Sequence, residues 1–317
     1  MRYPYDPELA AALTMMAEVD ITDLTAARAA QAREVAARLA AVDTTGVMVT
    51  ELRAPGPADA PDVPLRLYRP DPAPCPGPLP VLYSLHGGGY VLGSPDVDHE
   101  TNLRLCRDLG VLVVSPDYRL APEHPYPAAL EDCYAGLCLL EKNATELNLR
   151  PDRIAVCGDS AGAGLAAALT LLSRDRGGPS ICFQYLCSPA LDDRLTTPSA
   201  VSCTDTPVWN RRNAELSWWA YLGEAAGSED VPVYAAPARA EAGQLTDLPP
   251  ALVTVMHFDP LRDEGIHYAQ ELLAAGVLAE LHVYPGTFHG AVMVEHAAVI
   301  RRVTDEATAA LRRALSP

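Results

Sequence analysis

No stretch of this 317-residue chain is apolar for long enough to cross a bilayer, which takes about 20 consecutive residues. The N-terminus, Met1-Arg2-Tyr3-Pro4-Tyr5-Asp6-Pro7-Glu8, lacks the basic start and apolar run of a signal peptide, so a cytoplasmic location is expected. Basic charge is also scarce: 24 Lys and Arg stand against 41 Asp and Glu, a formal charge of -17. A field of that sign repels phosphate backbones and anionic headgroups, which argues against nucleic acid or a membrane surface as partner. Disulfide and metal spacings are missing as well. None of the eight cysteines (Cys75, Cys106, Cys133, Cys138, Cys157, Cys182, Cys187, Cys203) stands in a C-x-x-C pair or clusters with histidine. Several sit in apolar runs such as Ile154-Ala155-Val156-Cys157, where a reduced thiol behaves as a small hydrophobe. The chain has no internal repeat.

What is present is core-forming material in short units. The 49% hydrophobic content excludes disorder on composition, and the length fits one large α/β domain or two smaller ones. Residues 8–42, rich in Ala, Leu, Glu and Arg, read as two helices broken near Asp20 to Thr25. A dense proline and glycine run over 54–80 follows, with Leu65-Arg66-Leu67-Tyr68 inside it as an edge strand.

Beyond it, short apolar runs alternate with amphipathic stretches. The runs are 81–85, 111–115, 154–157, 181–187, 251–256 and 280–284, and the helical stretches are 98–109, 127–142, 161–174 and 262–275. Uninterrupted apolar strands between helices predict a mostly parallel sheet with helices on both faces. Only the interval from Asp192 to Val231 breaks the rhythm, with an amphipathic piece at 210–222 carrying Trp218 and Trp219. Together with the N-terminal helices it is expected to form a helical cap (1–45 and 191–230) over a catalytic core (46–190 and 231–317).

Two glycine-rich motifs carry the chemistry. Gly158-Asp159-Ser160-Ala161-Gly162 follows the apolar run ending at Cys157 and opens an alanine-rich helix. In that context G-x-S-x-G places a serine hydroxyl on a sharp strand-to-helix turn, at the positive end of the helix. Upstream, His86-Gly87-Gly88-Gly89-Tyr90 follows another strand. Its glycine amides, with that of Ala161, can form a three-donor oxyanion hole. His86 precedes the serine and is expected to order its own loop. The pair of motifs points to acyl transfer through a serine nucleophile.

Such a serine needs a base, and the base an orienting acid, in the chain order Ser, acid, His. Five histidines follow Ser160. His267 reads as a helix-surface residue, His282 alternates within a strand, His296 falls in the C-terminal helix, and His257 adjoins the best acid candidate. His289, in the turn after the last strand, is placed where loops at strand ends build sites. The acid is Asp259, at the end of the 251–256 run. Asp263 and Glu264 compete with it but fall in the first turn of the next helix, where carboxylates complement the dipole.

His86 to Gly89, Asp117-Tyr118-Arg119-Leu120-Ala121-Pro122-Glu123, Gly158 to Gly162, Asp259 to Glu264 and His289-Gly290 together resemble the hormone-sensitive-lipase-like (bacterial type IV) esterases. The resemblance spans about residues 46–317 and its motifs are very specific in combination. It implies an α/β-hydrolase fold with a mixed sheet and helical cap. It implies a Ser160–Asp259–His289 triad, oxyanion donors at Gly88, Gly89 and Ala161, and activity on short- to medium-chain acyl esters. Neither metal nor cofactor is expected, and a homodimer through an edge strand rests on the resemblance alone. Asp117 to Glu123 then orders the loop beneath the site, its charges pairing internally. Tyr90, Asp159, Trp209 and Trp218 are candidates for contacting a small-molecule ester, the alternative for the tryptophans being helix packing. The sequence departs from the family at Met256-His257-Phe258 and at Ala291. A ligand-binding protein on the same scaffold is disfavoured because His289 is retained, whereas an amide, lactone or carbamate substrate shares the same acyl-enzyme chemistry.

Overall fold

The computed structural model describes residues 3–16, 19–57, 60–74 and 77–316. Two N-terminal helices, α1 (Pro7–Ala12) and α2 (Leu24–Leu39), are opened by aspartate caps. Asp6 accepts from the Glu8 amide and Asp23 from the Ala26 amide, and Pro7 occupies a first-turn position where no N–H is needed. Eight strands follow: β1 (Val47–Ala54), β2 (Val63–Pro70), β3 (Leu79–Leu85), β4 (Leu112–Pro116), β5 (Leu149–Asp159), β6 (Phe183–Cys187), β7 (Ala251–Phe258) and β8 (Ala279–Phe288). They form one sheet in the order β1-β2-β4-β3-β5-β6-β7-β8. The first two pairings are antiparallel and the rest parallel, giving the expected mixed sheet.

The helices of the parallel part are α3 (His99–Leu109), α4 (Ala128–Lys142), α5 (Ala161–Asp175), α8 (Arg262–Ala274) and α9 (Ala298–Leu315). Successive strand residues face opposite sides. Leu82, Val113 and Ala155 pack with Leu103 and Cys106 of α3 and Leu311 of α9. Val81, Tyr83, Val114 and Val156 pack with α4, α5 and α8. Burial on both faces explains the near-continuous apolar runs.

One expected strand is placed differently. Leu65 to Tyr68 is not an edge strand: β2 lies between β1 and β4, and β1 takes the edge. Pro64 and Pro70 stand opposite Arg53 and Val47 at the ends of the β1–β2 ladder, so neither interrupts its middle. No strand was expected at β1, because its outer face is solvated and its exposed residues dilute the apolar signal.

Between β6 and β7 the chain makes two α-helices, α6 (Pro198–Ser202) and α7 (Arg211–Leu222), the second at the amphipathic piece expected over 210–222. They lie close to the N-terminal segment and to the glycine-rich loop after β3. Asn213 donates to the Val19 carbonyl at 2.8 Å, and Ser217 on α7 donates to the Gly89 carbonyl at 2.8 Å. Leu9 of α1 is buried with Met256, Tyr284 and Phe288. Among the described residues no helix is long and apolar enough to cross a membrane, and no His, Cys, Asp and Glu group could hold a metal ion. The seven described cysteines are free thiols, and Cys75 lies outside the described residues.

Candidate active site

Ser160 sits between β5 and α5 with φ 57 and ψ -120. A left-handed serine costs of order 1–3 kcal/mol, and small neighbours make the turn feasible. A Cβ on Gly158 would lie 2.3 Å from the Gly162 carbonyl carbon, and one on Gly162 would lie 2.0 Å from the Leu85 carbonyl oxygen. The same contact presses the elbow onto the end of β3. From the other side the Ser160 amide donates to the Cys187 carbonyl at 2.9 Å.

The base and acid arrive from β7 and β8. These strands run parallel, with Met256 opposite Tyr284 and Phe258 opposite Phe288. The next residue on each is therefore brought alongside the other: Asp259 and His289. His289 Nδ1 lies 2.8 Å from Asp259 Oδ2, and His289 Nε2 lies 3.0 Å from Ser160 Oγ. This geometry is consistent with a Ser-His-Asp triad. Asp259 is fully buried, and its second oxygen accepts from the Leu261 amide at 2.8 Å. Burial alone would depress the His289 pKa. The charge and hydrogen bond of Asp259, aided by the charge of Asp159, outweigh it and hold the ring above its ordinary value.

The competing histidines are elsewhere. His257 stacks on Phe258 at 4.3 Å, His267 is exposed, and His282 binds Glu306 and Glu280 at 2.7 and 2.8 Å. His296 belongs to a turn before α9 rather than to that helix, a correction to the expected position. Of the competing acids, Asp263 accepts from the Ser199 amide at 2.7 Å. Glu264 falls in the first turn of α8, as expected, but does more than complement its dipole. It is completely buried and accepts from the Leu191 and Asp192 amides at 2.6 and 3.2 Å. Nothing in its sequence position signals this beyond the small Gly265 beside it.

Gly88 and Gly89 have φ 125 and φ 59, and Cβ atoms there would lie 2.2 Å from the Leu92 carbonyl oxygen and 2.4 Å from a Trp209 ring carbon. A Cβ on Gly87 would lie 3.0 Å from the Asp159 carbonyl, so this loop and the elbow touch. Among the described residues no acceptor takes a hydrogen bond from the Gly88, Gly89 or Ala161 amides. His86 is buried with its ring stacked on Tyr118 at 4.1 Å, and its Nδ1 meets the Gly87 carbonyl at 2.8 Å. Burial lowers its pKa to about 4, so the ring is a neutral spacer, as its expected loop-ordering role requires. Tyr118 donates to the His86 carbonyl at 2.7 Å, tying 117–123 beneath the loop. Contrary to the expectation of internal pairing, Arg119 and Glu123 of that stretch pair outside it. Arg119 pairs with Asp132 on α4 at 2.7 Å, and Glu123 with Arg28 on α2 at 2.6 Å. Both partners come from helices the local sequence does not contain.

The four substrate-contact candidates occupy different surroundings. Trp209 has its ring 6.0 Å from that of His289 and abuts Gly89. It is placed by a tight turn in which its amide donates to the Pro207 carbonyl at 2.7 Å and Val208 takes φ 63, a strained value for a β-branched residue. Asp159 is half-buried at the elbow, where burial pushes its carboxyl above the usual range against the pull of His289. Tyr90 and Trp218 are nearly fully buried in an aromatic group with Tyr221, the Tyr90 and Tyr221 rings stacking at 4.0 Å. Trp219, by contrast, is 64% exposed.

The chain matches the family described as alpha/beta hydrolase fold over residues 82–293. It is 37% identical to a carboxylesterase, NlhH, of Mycobacterium tuberculosis (strain CDC 1551 / Oshkosh), over 98% of this chain and 97% of that protein. Esterase LipI of Mycobacterium tuberculosis (strain ATCC 25618 / H37Rv) is 40% identical over 81% of this chain and 78% of its own. Among solved structures, a bacterial heroin esterase superposes with a TM-score of 0.96 at 48% identity, covering 99% of both chains.

Proposed function

We propose, for a chain that belongs to the α/β-hydrolase-fold family and is a carboxylic ester hydrolase, a Ser160–His289–Asp259 mechanism acting on short- to medium-chain acyl esters. The observation that carries this reading is the continuous line from Asp259 through His289 to Ser160 Oγ. His289 Nε2 takes the Ser160 proton as Oγ attacks the ester carbonyl carbon. The tetrahedral oxyanion is received by the Gly88, Gly89 and Ala161 amides, where one well-aimed donor is worth about 2.7–4 kcal/mol. The alkoxide leaves with the proton from His289, and water repeats the sequence on the acyl-enzyme. Asp259 orients the ring and stabilises its charged form without taking the proton.

Trp209 walls the acyl or alcohol side of the pocket, and its closeness to His289 and Gly89 supports small groups there. Asp159 stands at the rim, and Tyr90 and Trp218 act from behind as packing. The division into a core of 46–190 and 231–317 and a cap of 1–45 and 191–230 belongs to the same proposal, supported by the contacts from α7 and Val19. The outer edge of β8, with Val283 exposed, supports pairing of two copies through an edge strand, to be checked by sedimentation.

Turnover of p-nitrophenyl esters from acetyl to dodecanoyl, by wild type and Ser160→Ala side by side, tests the mechanism. Short-chain turnover that vanishes in the variant is expected. Turnover surviving in Ser160→Ala, or none in folded wild type, would sink it.

A further inference from the structure

Glu264 does work that neither the triad nor the helix dipole requires. Fully buried side chains rarely carry a carboxyl without a compensating partner, and Glu264 is 0% exposed. One of its oxygens accepts the Leu191 and Asp192 amides, while the other has no partner among the described residues. Among the described residues no cation offsets it, and burial drives its carboxyl well above the usual range despite those two amide donors.

The segment it grips is the exit of β6, which holds the nucleophile residue at both backbone ends. The Cys187 carbonyl accepts from the Ser160 amide at 2.9 Å, and the Ala190 amide donates to the Ser160 carbonyl at 3.1 Å. The Ala190 carbonyl in turn accepts from the Tyr90 hydroxyl at 3.0 Å, and Tyr90 is the residue next to Gly89. Gly164 lets this peptide approach: a Cβ there would lie 2.2 Å from the Ala190 oxygen and 2.4 Å from the Tyr90 hydroxyl. One residue, Ala190, thus joins the elbow to the glycine loop, and the amides of the next two residues end on Glu264. Glu264, in the first turn of α8, follows Asp259 closely in the chain, so one short segment carries both acids.

We infer that Glu264 is a positioning residue for the serine chemistry, fixing through the Leu191 and Asp192 amides the segment that sets Ser160 against the Gly88–Gly89 loop. The inference rests on the esterase mechanism proposed above. Glu264 accepts from the Leu191 and Asp192 amides and makes no hydrogen bond to Ser160 or His289, so the expected signature is in kcat rather than KM.

The test is p-nitrophenyl acetate kinetics on Glu264→Ala, Glu264→Asp and Glu264→Gln, with thermal unfolding of each. Absence of turnover by wild type would fault the esterase reading and not this one. With wild type active, the alanine and aspartate variants should lose about tenfold to a hundredfold in kcat. KM should stay within about twofold. Glu264→Gln keeps the accepting oxygen without charge and should retain kcat within about threefold, at some cost in stability for its buried amide. If the alanine variant fails to fold, the aspartate variant, which withdraws the acceptor by one methylene, carries the result. Wild-type kcat in a folded alanine or aspartate variant overturns the inference. So does a change confined to KM, or a glutamine variant as impaired as alanine.

Discussion

The two halves of the site are built by opposite means. The nucleophile half, from β3 and the β5–α5 turn, is made of backbone and glycine. Its parts touch so closely that a single added Cβ meets a carbonyl oxygen at 2.0 Å at Gly162 and 2.2 Å at Gly88. The acid–base half, from the ends of β7 and β8, is made of side chains held by hydrogen bonds, with glycine entering mainly at Gly286 and Gly290. Space is exhausted in the first half, whereas orientation is the scarce quantity in the second. The first should therefore fail through clash and the second through misdirected protons.

The sharpest way to break the second half alone is Asp259→Asn. It should lower kcat by about 10⁴-fold with the fold intact, since the ring loses its orienting acceptor. The pH profile sharpens the point. As the base of the proposed mechanism His289 must be neutral, so its raised pKa is expected to place the acidic limb of kcat/KM above the ordinary histidine value of 6.5. With the Asp259 charge removed, burial dominates and the limb of the residual activity moves to lower pH. A limb that stays in place or rises would contradict this electrostatic account.

A smaller effect separates two glycines, one from each half. Gly162→Ala drives a Cβ into the Leu85 and His86 carbonyls. It should cost about 1–3 kcal/mol in urea unfolding and roughly a hundredfold in kcat. Gly290→Ala has φ 76 but its Cβ first meets the side chains of Val208 and Met293, at 3.0 and 3.2 Å, rather than backbone. It should cost about 1 kcal/mol, the price of the backbone strain, and leave kcat nearly unchanged. Equal losses at the two positions would erase the contrast.

The mildest change is Trp209→Ala, which opens the space beside His289 and Gly89. The acyl-length optimum on p-nitrophenyl esters should move to longer chains, changing kcat/KM ratios by about tenfold, the scale of one or two methylenes in a pocket. An unchanged profile would assign Trp209 to packing alone.

Legibility in the sequence follows the same division. The serine turn could be read because its requirement is local: a serine at positive φ between glycines, after an apolar strand and before an alanine-rich helix. His289 and Asp259 could be picked out only by elimination and chain order. Their meeting depends on the parallel β7–β8 register, which no residue pattern in either strand encodes. β1 was missed because a half-solvated edge strand has no continuous apolar run. The partners of Arg119 and Glu123 were misjudged because they lie on other helices. Glu264 looked like its neighbour Asp263: two carboxylates in one helical turn carry the same sequence signal. Helix geometry nonetheless turns one toward the β6 exit and leaves the other beside Ser199.

What the sequence by itself determined, then, was the α/β alternation, the serine turn and the chain order of the serine, aspartate and histidine that the fold brings together. These rest on dihedral limits, residue volume and hydrophobic run length, all properties of a few neighbouring residues. Only the tertiary structure decided which strand lay at the edge, that Trp209 faced His289, and that Glu264 was buried against the frame of the nucleophile. Those outcomes depend on contacts between segments far apart in sequence, where register and burial choose among residues that are chemically alike.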